Sequence, residues 1–169
     1  MNILIVSQYF WPEGFRINDI ARSLVERGCK VDVLTGKPNY PEGTIFPGYA
    51  AWGCAYEEWN GASLFRVPLF PRGVKGTWGL VANYLSFVLS GVVLGPWMLR
   101  HRKYDVVFVC GLSPILLAIP AVFIAAIRHL KLVLWVQDLW PDSLSATGHV
   151  RSPRILRAVA SVVRWIYGH

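Results

Sequence analysis

Five short apolar runs rich in β-branched residues punctuate this chain, and segments of helical period separate most of them. The runs are Asn2–Ser7, Lys30–Thr35, Ser63–Phe70, Asp105–Cys110 and Lys131–Gln137. None shows the clean in–out alternation of a half-solvated strand, so both faces of each must be covered. Arg16–Arg27, Gly79–Arg100 and Ser113–Arg128 read as helices between them. This order predicts an α/β domain: a Rossmann-like open parallel sheet with helices on both faces. Gly28 ends the first helix, as a glycine just past a C-cap does. Ser113-Pro114 supply an N-cap and a first-turn proline for the third helix, and Pro120 predicts a kink inside it. Pro68 places the third strand near an edge or a strand end. Gly36–Gly61 is rich in Gly, Pro and Trp and reads as a long irregular loop, a kind that is usually functional inside a compact domain. Residues 1–150 form the Rossmann-like unit. Residues 151–169 read as an amphipathic helix, with Arg154, Arg157 and Arg164 on one side and Ile155, Val159, Val162 and Ile166 on the other.

Charged residues make up only 16% of the chain, against a typical ~25%. That excludes a disordered tail, which needs low hydrophobicity and high charge. Seventeen basic against ten acidic residues leave a net charge of +7, a surplus that attracts phosphates. No run of five Lys/Arg and no aromatic RNA-binding signature occurs, so nucleic acid is not the expected partner. Cys29, Cys54 and Cys110 are widely spaced and odd in number, which predicts reduced thiols rather than a disulfide framework or a zinc site. The first residues lack the basic region of a signal peptide. Gly76–Leu99 contains no charged residue and is long enough to cross a bilayer. It also contains Asn83 and several Gly and Ser, and basic residues flank both ends. Three readings stand: a span, a buried helix, or a helix grazing a membrane face.

Open α/β sheets bind ligands at the carboxyl ends of their strands, near the point where strand order reverses. Three loops occupy such ends. The first is Gln8–Arg16, which matches neither GxGxxG nor the P-loop. Gly14 and Phe15 close it, and Arg16 opens the helix. A cation there opposes the helix dipole, so Arg16 contacts a phosphate or pairs with Glu13 or Asp19. The second loop, Gly36–Gly43, offers Lys37, Asn39, Tyr40 and Glu42 to sugar hydroxyls or a phosphate, or is a solvated turn. Arg66 and Arg72, farther on, add positive potential or are plain surface charge. The third loop, Gln137–Ser145, carries Asp138 at a strand end, where a carboxylate can orient or deprotonate a hydroxyl. Asp142, behind Pro141, fits either that chemistry or a helix start. No nucleophile elbow is present.

The strings VSQYFWPEGFRINDIARSLVERG, LTGKPNYPEG, RVPLFPRG, NYLSFVLS and LVLWVQDLWPDSLSATG occur in this order. Together they resemble the N-terminal half of bacterial family-4 glycosyltransferases of the colanic acid, O-antigen and capsule type, including L-fucosamine transferases. The resemblance implies a GT-B fold, with two Rossmann-like domains facing across a cleft. The N-terminal one would serve mainly the acceptor, and a C-terminal donor-binding domain would follow the last helix. Gly14 would lie against the donor diphosphate. Asp138 would be the catalytic carboxylate, orienting with Gln137 the reacting sugar; many members carry His in place of Gln137. Phe15, Arg16, Lys37, Asn39, Tyr40 and Arg72 would complete the substrate contacts. A UDP-sugar donor, no metal or other cofactor, retention of configuration and an undecaprenyl-diphosphate saccharide acceptor are implied. The domain would work at the inner face of the cytoplasmic membrane and be inactive without its second half. Two rivals are a separate membrane-docking subunit that recruits a donor-domain chain, and a Rossmann-like nucleotide-binding module.

Overall fold

The structure, a computed structural model, describes residues 1–73, 76–111, 114–138, 140 and 153–168. A six-stranded sheet is formed by β1 (Asn2–Val6), β2 (Lys30–Thr35), β3 (Ala55–Trp59), β4 (Ala62–Arg66), β5 (Val106–Gly111) and β6 (Lys131–Val136). Its spatial order is β3-β4-β2-β1-β5-β6. Every pairing is parallel except β3 with β4. The helices are α1 (Arg16–Glu26), α2 (Thr77–Met98), α3 (Ile119–Arg128) and α4 (Pro153–Tyr167).

The strand period of two sorts side chains into two cores. Leu4, Val6, Leu34, Val107 and Val109 face α2, α3 and α4. Ile3, Ile5, Val31 and Val33 face α1 through Ile17 and Ala21. Helices therefore cover both faces, as expected. Gly28 ends α1 at φ +80°: its N–H donates to Val25 O (2.8 Å), and Cys29 N–H donates to Leu24 O (3.0 Å). These are the paired bonds of a Schellman cap. In α4, Val163 and Ile166 are buried on the α2/α3 side, and Arg157 and Arg164 are exposed, as the amphipathic pattern requires.

Four expectations need correction. The sheet is mixed, because the 36–61 loop contains β3. Its pattern, Ala-Tyr-Glu-Glu-Trp, is that of an edge strand with one wet face. The two-residue connection Asn60-Gly61 has both φ values positive, the geometry that lets a hairpin follow the natural strand twist. The strand expected at Ser63–Phe70 ends at Arg66. Pro120 does not kink a helix: a 3-10 turn, Ile115–Ala118, comes first, and Pro120 stands at the start of α3. There its missing N–H is of no consequence. Ser113, the expected cap, lies outside the described residues, as do Asp142 and the boundary at 150/151. Finally, Arg66 is no surface charge; it is fully buried.

α2 is long and apolar enough to cross a bilayer, yet Phe87, Gly91 and Gly95 seat one side of it on the sheet and α3. A Cβ on Gly91 would fall 2.8 Å from the Pro120 ring, and one on Gly95 would fall 2.9 Å from Leu34. The glycines thus set how closely the helix approaches.

Candidate active site

Strand order reverses between β1 and β5, and the carboxyl ends of β1, β5 and β6 open into one hollow of about 360 Å³. Gly14, Phe15, Arg16 and Ile17 form one wall, and Cys110, Trp135 and Gln137 form the other. Gly14 has no neighbour within 4 Å of where a side chain would begin, which leaves its backbone open to a ligand. Phe15 caps α1 without a side-chain hydrogen bond. The first amides of a helix have no partner within it, so this end favours an anion.

Neither expected partner of Arg16 takes it. Asp19 pairs with Arg22 at 2.7 Å. Glu13 is turned inward and only 2% exposed. Among the described residues no ion pair of Arg16 is found, and its guanidinium stands exposed at the hollow's wall. On the opposite wall, Gln137 Nε2 donates to Cys110 Sγ (3.4 Å). Burial pushes the Cys110 thiol up to about 11, which disfavours the thiolate at neutral pH. Asp138 is exposed directly beyond Gln137.

The second loop is placed differently. Lys37 and Asn39 are buried rather than presented to the hollow. Burial, then the Arg66 charge, holds the Lys37 ammonium below its ordinary range. Asn39 Nδ2 donates to Lys37 O (2.9 Å), and Asn39 Oδ1 accepts from Asn83 Nδ2 (3.1 Å). Tyr40 is exposed and stays near the hollow, with its ring 5.2 Å from Phe15 and 5.6 Å from Tyr9. Arg72 lies over the Tyr40 ring at 5.3 Å. Gly14, Phe15, Arg16 and Gln137 are therefore brought together. Tyr40 and Arg72 stand behind Phe15, and Lys37 and Asn39 belong to the framework.

Three buried polar groups were not read as site residues. Glu13 Oε1 accepts from the N–H groups of Asn39 and Tyr40 (2.8 Å each), and Oε2 accepts from Phe10 N–H (3.2 Å). It fastens the first loop to the second. Burial raises its pKa from 4.5 to about 7, outweighing those three amides and Arg66. Arg66 donates to Gly36 O (3.0 Å) and Trp11 O and pairs with Glu57. Asn83 Oδ1 accepts from Gln8 Nε2 (2.5 Å), and its amide donates to Phe70 O (2.7 Å). One amide side chain in an otherwise uncharged helix is the signal that could have found Asn83. No three His, Cys, Asp or Glu side chains converge among the described residues.

The fold is thus an open α/β sheet with its hollow at the reversal of strand order, bordered on one wall by a helix start and by Arg16, for which no ion pair is found among the described residues. Residues 14–169 match the glycosyl transferase 4-like domain, and the chain belongs to that family. It is similar to WcaI of Escherichia coli (strain K12), described by name as a colanic acid biosynthesis glycosyl transferase, at 26% identity over 153 residues. That match covers 88% of this chain and 37% of WcaI. The crystal structure of CalG4, the calicheamicin glycosyltransferase, shares the fold with a TM-score of 0.57 and 17% identity, over 99% of this chain and 42% of CalG4. The chain thus spans less than half the length of either relative.

Proposed function

We propose that this chain is the acceptor-side domain of a retaining glycosyltransferase. The enzyme would move a sugar from a UDP-sugar to an undecaprenyl-diphosphate-linked saccharide at the inner face of the cytoplasmic membrane, in surface polysaccharide synthesis. The observation that carries the reading is the hollow, where Gly14 and Arg16, which has no ion pair among the described residues, face Gln137 at the carboxyl edge. WcaI's description supports the polysaccharide assignment.

In this reading Gly14 admits the donor diphosphate to the start of α1, and Arg16 neutralises it. Asp138 and Gln137 orient the reacting sugar from the opposite wall. The donor's own phosphate takes the acceptor hydroxyl proton, with no metal required. The half-length span fits a donor site housed in a second domain, so the chain should be inactive by itself.

The test compares the 169-residue chain with a chain extended by the donor domain, using UDP-sugars and a lipid-linked saccharide. Turnover is expected only with the extension. Within the extended enzyme Arg16→Ala should raise the donor KM, and Asp138→Asn should lower kcat. Turnover by the short chain alone, or indifference to both changes, overturns the reading. Activity restored by adding a separate donor-domain chain would favour the docking-subunit alternative.

A further inference from the structure

We propose that the outward side of α2, with the basic residues around it, is the surface by which this domain lies flat on an anionic lipid bilayer. The proposal gives the acceptor reading a physical surface, but it can be tested without sugar, nucleotide or acceptor.

The side of α2 turned away from the sheet is apolar over its whole length. Trp78, Val81, Leu85, Leu89, Val93 and Trp97 recur every three or four residues and are all exposed, Trp78 at 86% and Leu89 at 67%. From Trp78 to Trp97 the stripe runs about 28 Å at the helical rise per residue. It widens sideways into an apolar groove of about 380 Å³, where Trp52 and Pro68 meet Leu89 and Val93. A continuous apolar band of this length is uncommon on a surface that meets only water.

Charge selects what covers it. Residues 1–58 hold five basic and seven acidic side chains; residues 59–169 hold twelve basic and three acidic. The three helices of the α2/α3/α4 face all come from the second stretch, so the cationic surplus of the chain belongs to the same half of the sequence as the stripe. At the end of α2, Arg100, His101, Arg102 and Lys103 are exposed in succession. The Arg100 guanidinium sits 4.6 Å from the centre of the Trp97 ring. Arg102 lies 3.6 Å from Asp32, and the neighbouring cations face solvent.

A second copy stacked stripe to stripe would supply no anionic groups to the exposed Arg100 and Lys103 at the end of the stripe. A bilayer instead offers hydrocarbon for the stripe and anionic headgroups for its rim, with tryptophan at each end suited to the interface between them. The helix does not cross: Asn83, Phe87, Gly91 and Gly95 hold its inner side to the protein. Asn83 also bonds Gln8 and Asn39, so the first half of α2 borders the loops behind the hollow. Docking would therefore hold the crevice beside the membrane surface.

The experiment is co-sedimentation of the chain with phosphatidylglycerol-containing vesicles and with pure phosphatidylcholine vesicles, at low and high salt. Binding is expected to the former and to fall with salt. Leu89→Asp combined with Val93→Asp should weaken it at least about tenfold, since two apolar side chains lose their burial. Arg100→Glu combined with Lys103→Glu should weaken it and remove the salt dependence. Tyr56→Asp, on the exposed edge strand β3, should bind as the unaltered chain does. Circular dichroism checks that each variant keeps its helix content. The proposal is overturned if the unaltered chain stays in solution, if the α2 variant binds equally well, or if sedimentation velocity shows a dimer that the α2 variant dissolves while vesicle binding is absent.

Discussion

Replacing Glu13 with glutamine should flatten the pH dependence of stability between about pH 5 and pH 8. The carboxylate is 2% exposed, and burial raises its pKa from 4.5 to about 7 despite three amide donors. The folded state therefore holds the Glu13 proton more tightly than the unfolded chain. Its contribution is fully present below the unfolded pKa and is lost as the pH rises through about 7. At about 1.4 kcal/mol per pKa unit, the difference is on the order of 3 kcal/mol. Glutamine keeps an oxygen for the Asn39 and Tyr40 amides but cannot ionise. Its amide nitrogen faces Phe10 N–H, which adds a pH-independent penalty of about 1–3 kcal/mol. Urea unfolding followed by tryptophan fluorescence at several pH values measures both quantities. The two stability curves should diverge in slope, and histidine contributions cancel in their difference. Parallel curves would show that Glu13 is not the buried titrating group, and the assignment of burial as the dominant influence on it would be wrong.

Arg66→Met should destabilise by about 3–5 kcal/mol, because it leaves Glu57 and the Gly36 and Trp11 carbonyls without their cation; chemical denaturation reads it. Asn83→Leu should lower the midpoint of urea unfolding, at about 1–3 kcal/mol for each orphaned partner among Gln8, Asn39 and Phe70. Gly91→Ala should lose about 1–3 kcal/mol by driving α2 away from Pro120. A Gly91→Ala chain with unchanged Tm would mean that the α2–α3 contact is looser than the structure shows.

The fold was legible wherever burial on both faces left an unbroken apolar run. β1, β2 and β6 fall within the expected segments, β5 overruns its own by one residue at Gly111, and Gly28 ends α1 as read. β3 was missed because Glu57 and Glu58 break the run, although Asn60-Gly61 is a strong hairpin signal. Pro120 misled because proline marks a helix start as readily as a kink, and sequence alone does not say which side of it the helix lies on. The apolar character of α2 was plain. Its division into a seated side and a bare side was not, since both are equally hydrophobic and only the close approach of Gly91 and Gly95 separates them.

The site divides along the same physical line. Gly14, Phe15 and Arg16 were readable because a strand end, a glycine and a helix start fix where they stand. Lys37 and Asn39 looked like binding groups because composition cannot tell a polar side chain turned outward from one turned in. Their surroundings are set by residues far away in the chain: Glu13 reaches across 26 positions and Arg66 across 30. A crevice that must stay open cannot have its loops held by packing across its mouth. Backbone groups of the first two loops are instead satisfied from beneath by Glu13 and Arg66, and Asn83 ties the Gln8 and Asn39 side chains together, at the expense of burying two charges. Buried polar networks of this kind tolerate few alternatives, because each half-satisfied arrangement strands a group away from water. Loops tied down around a hollow, with Arg16 at its rim in no ion pair among the described residues, are what such a network can provide and an apolar core cannot.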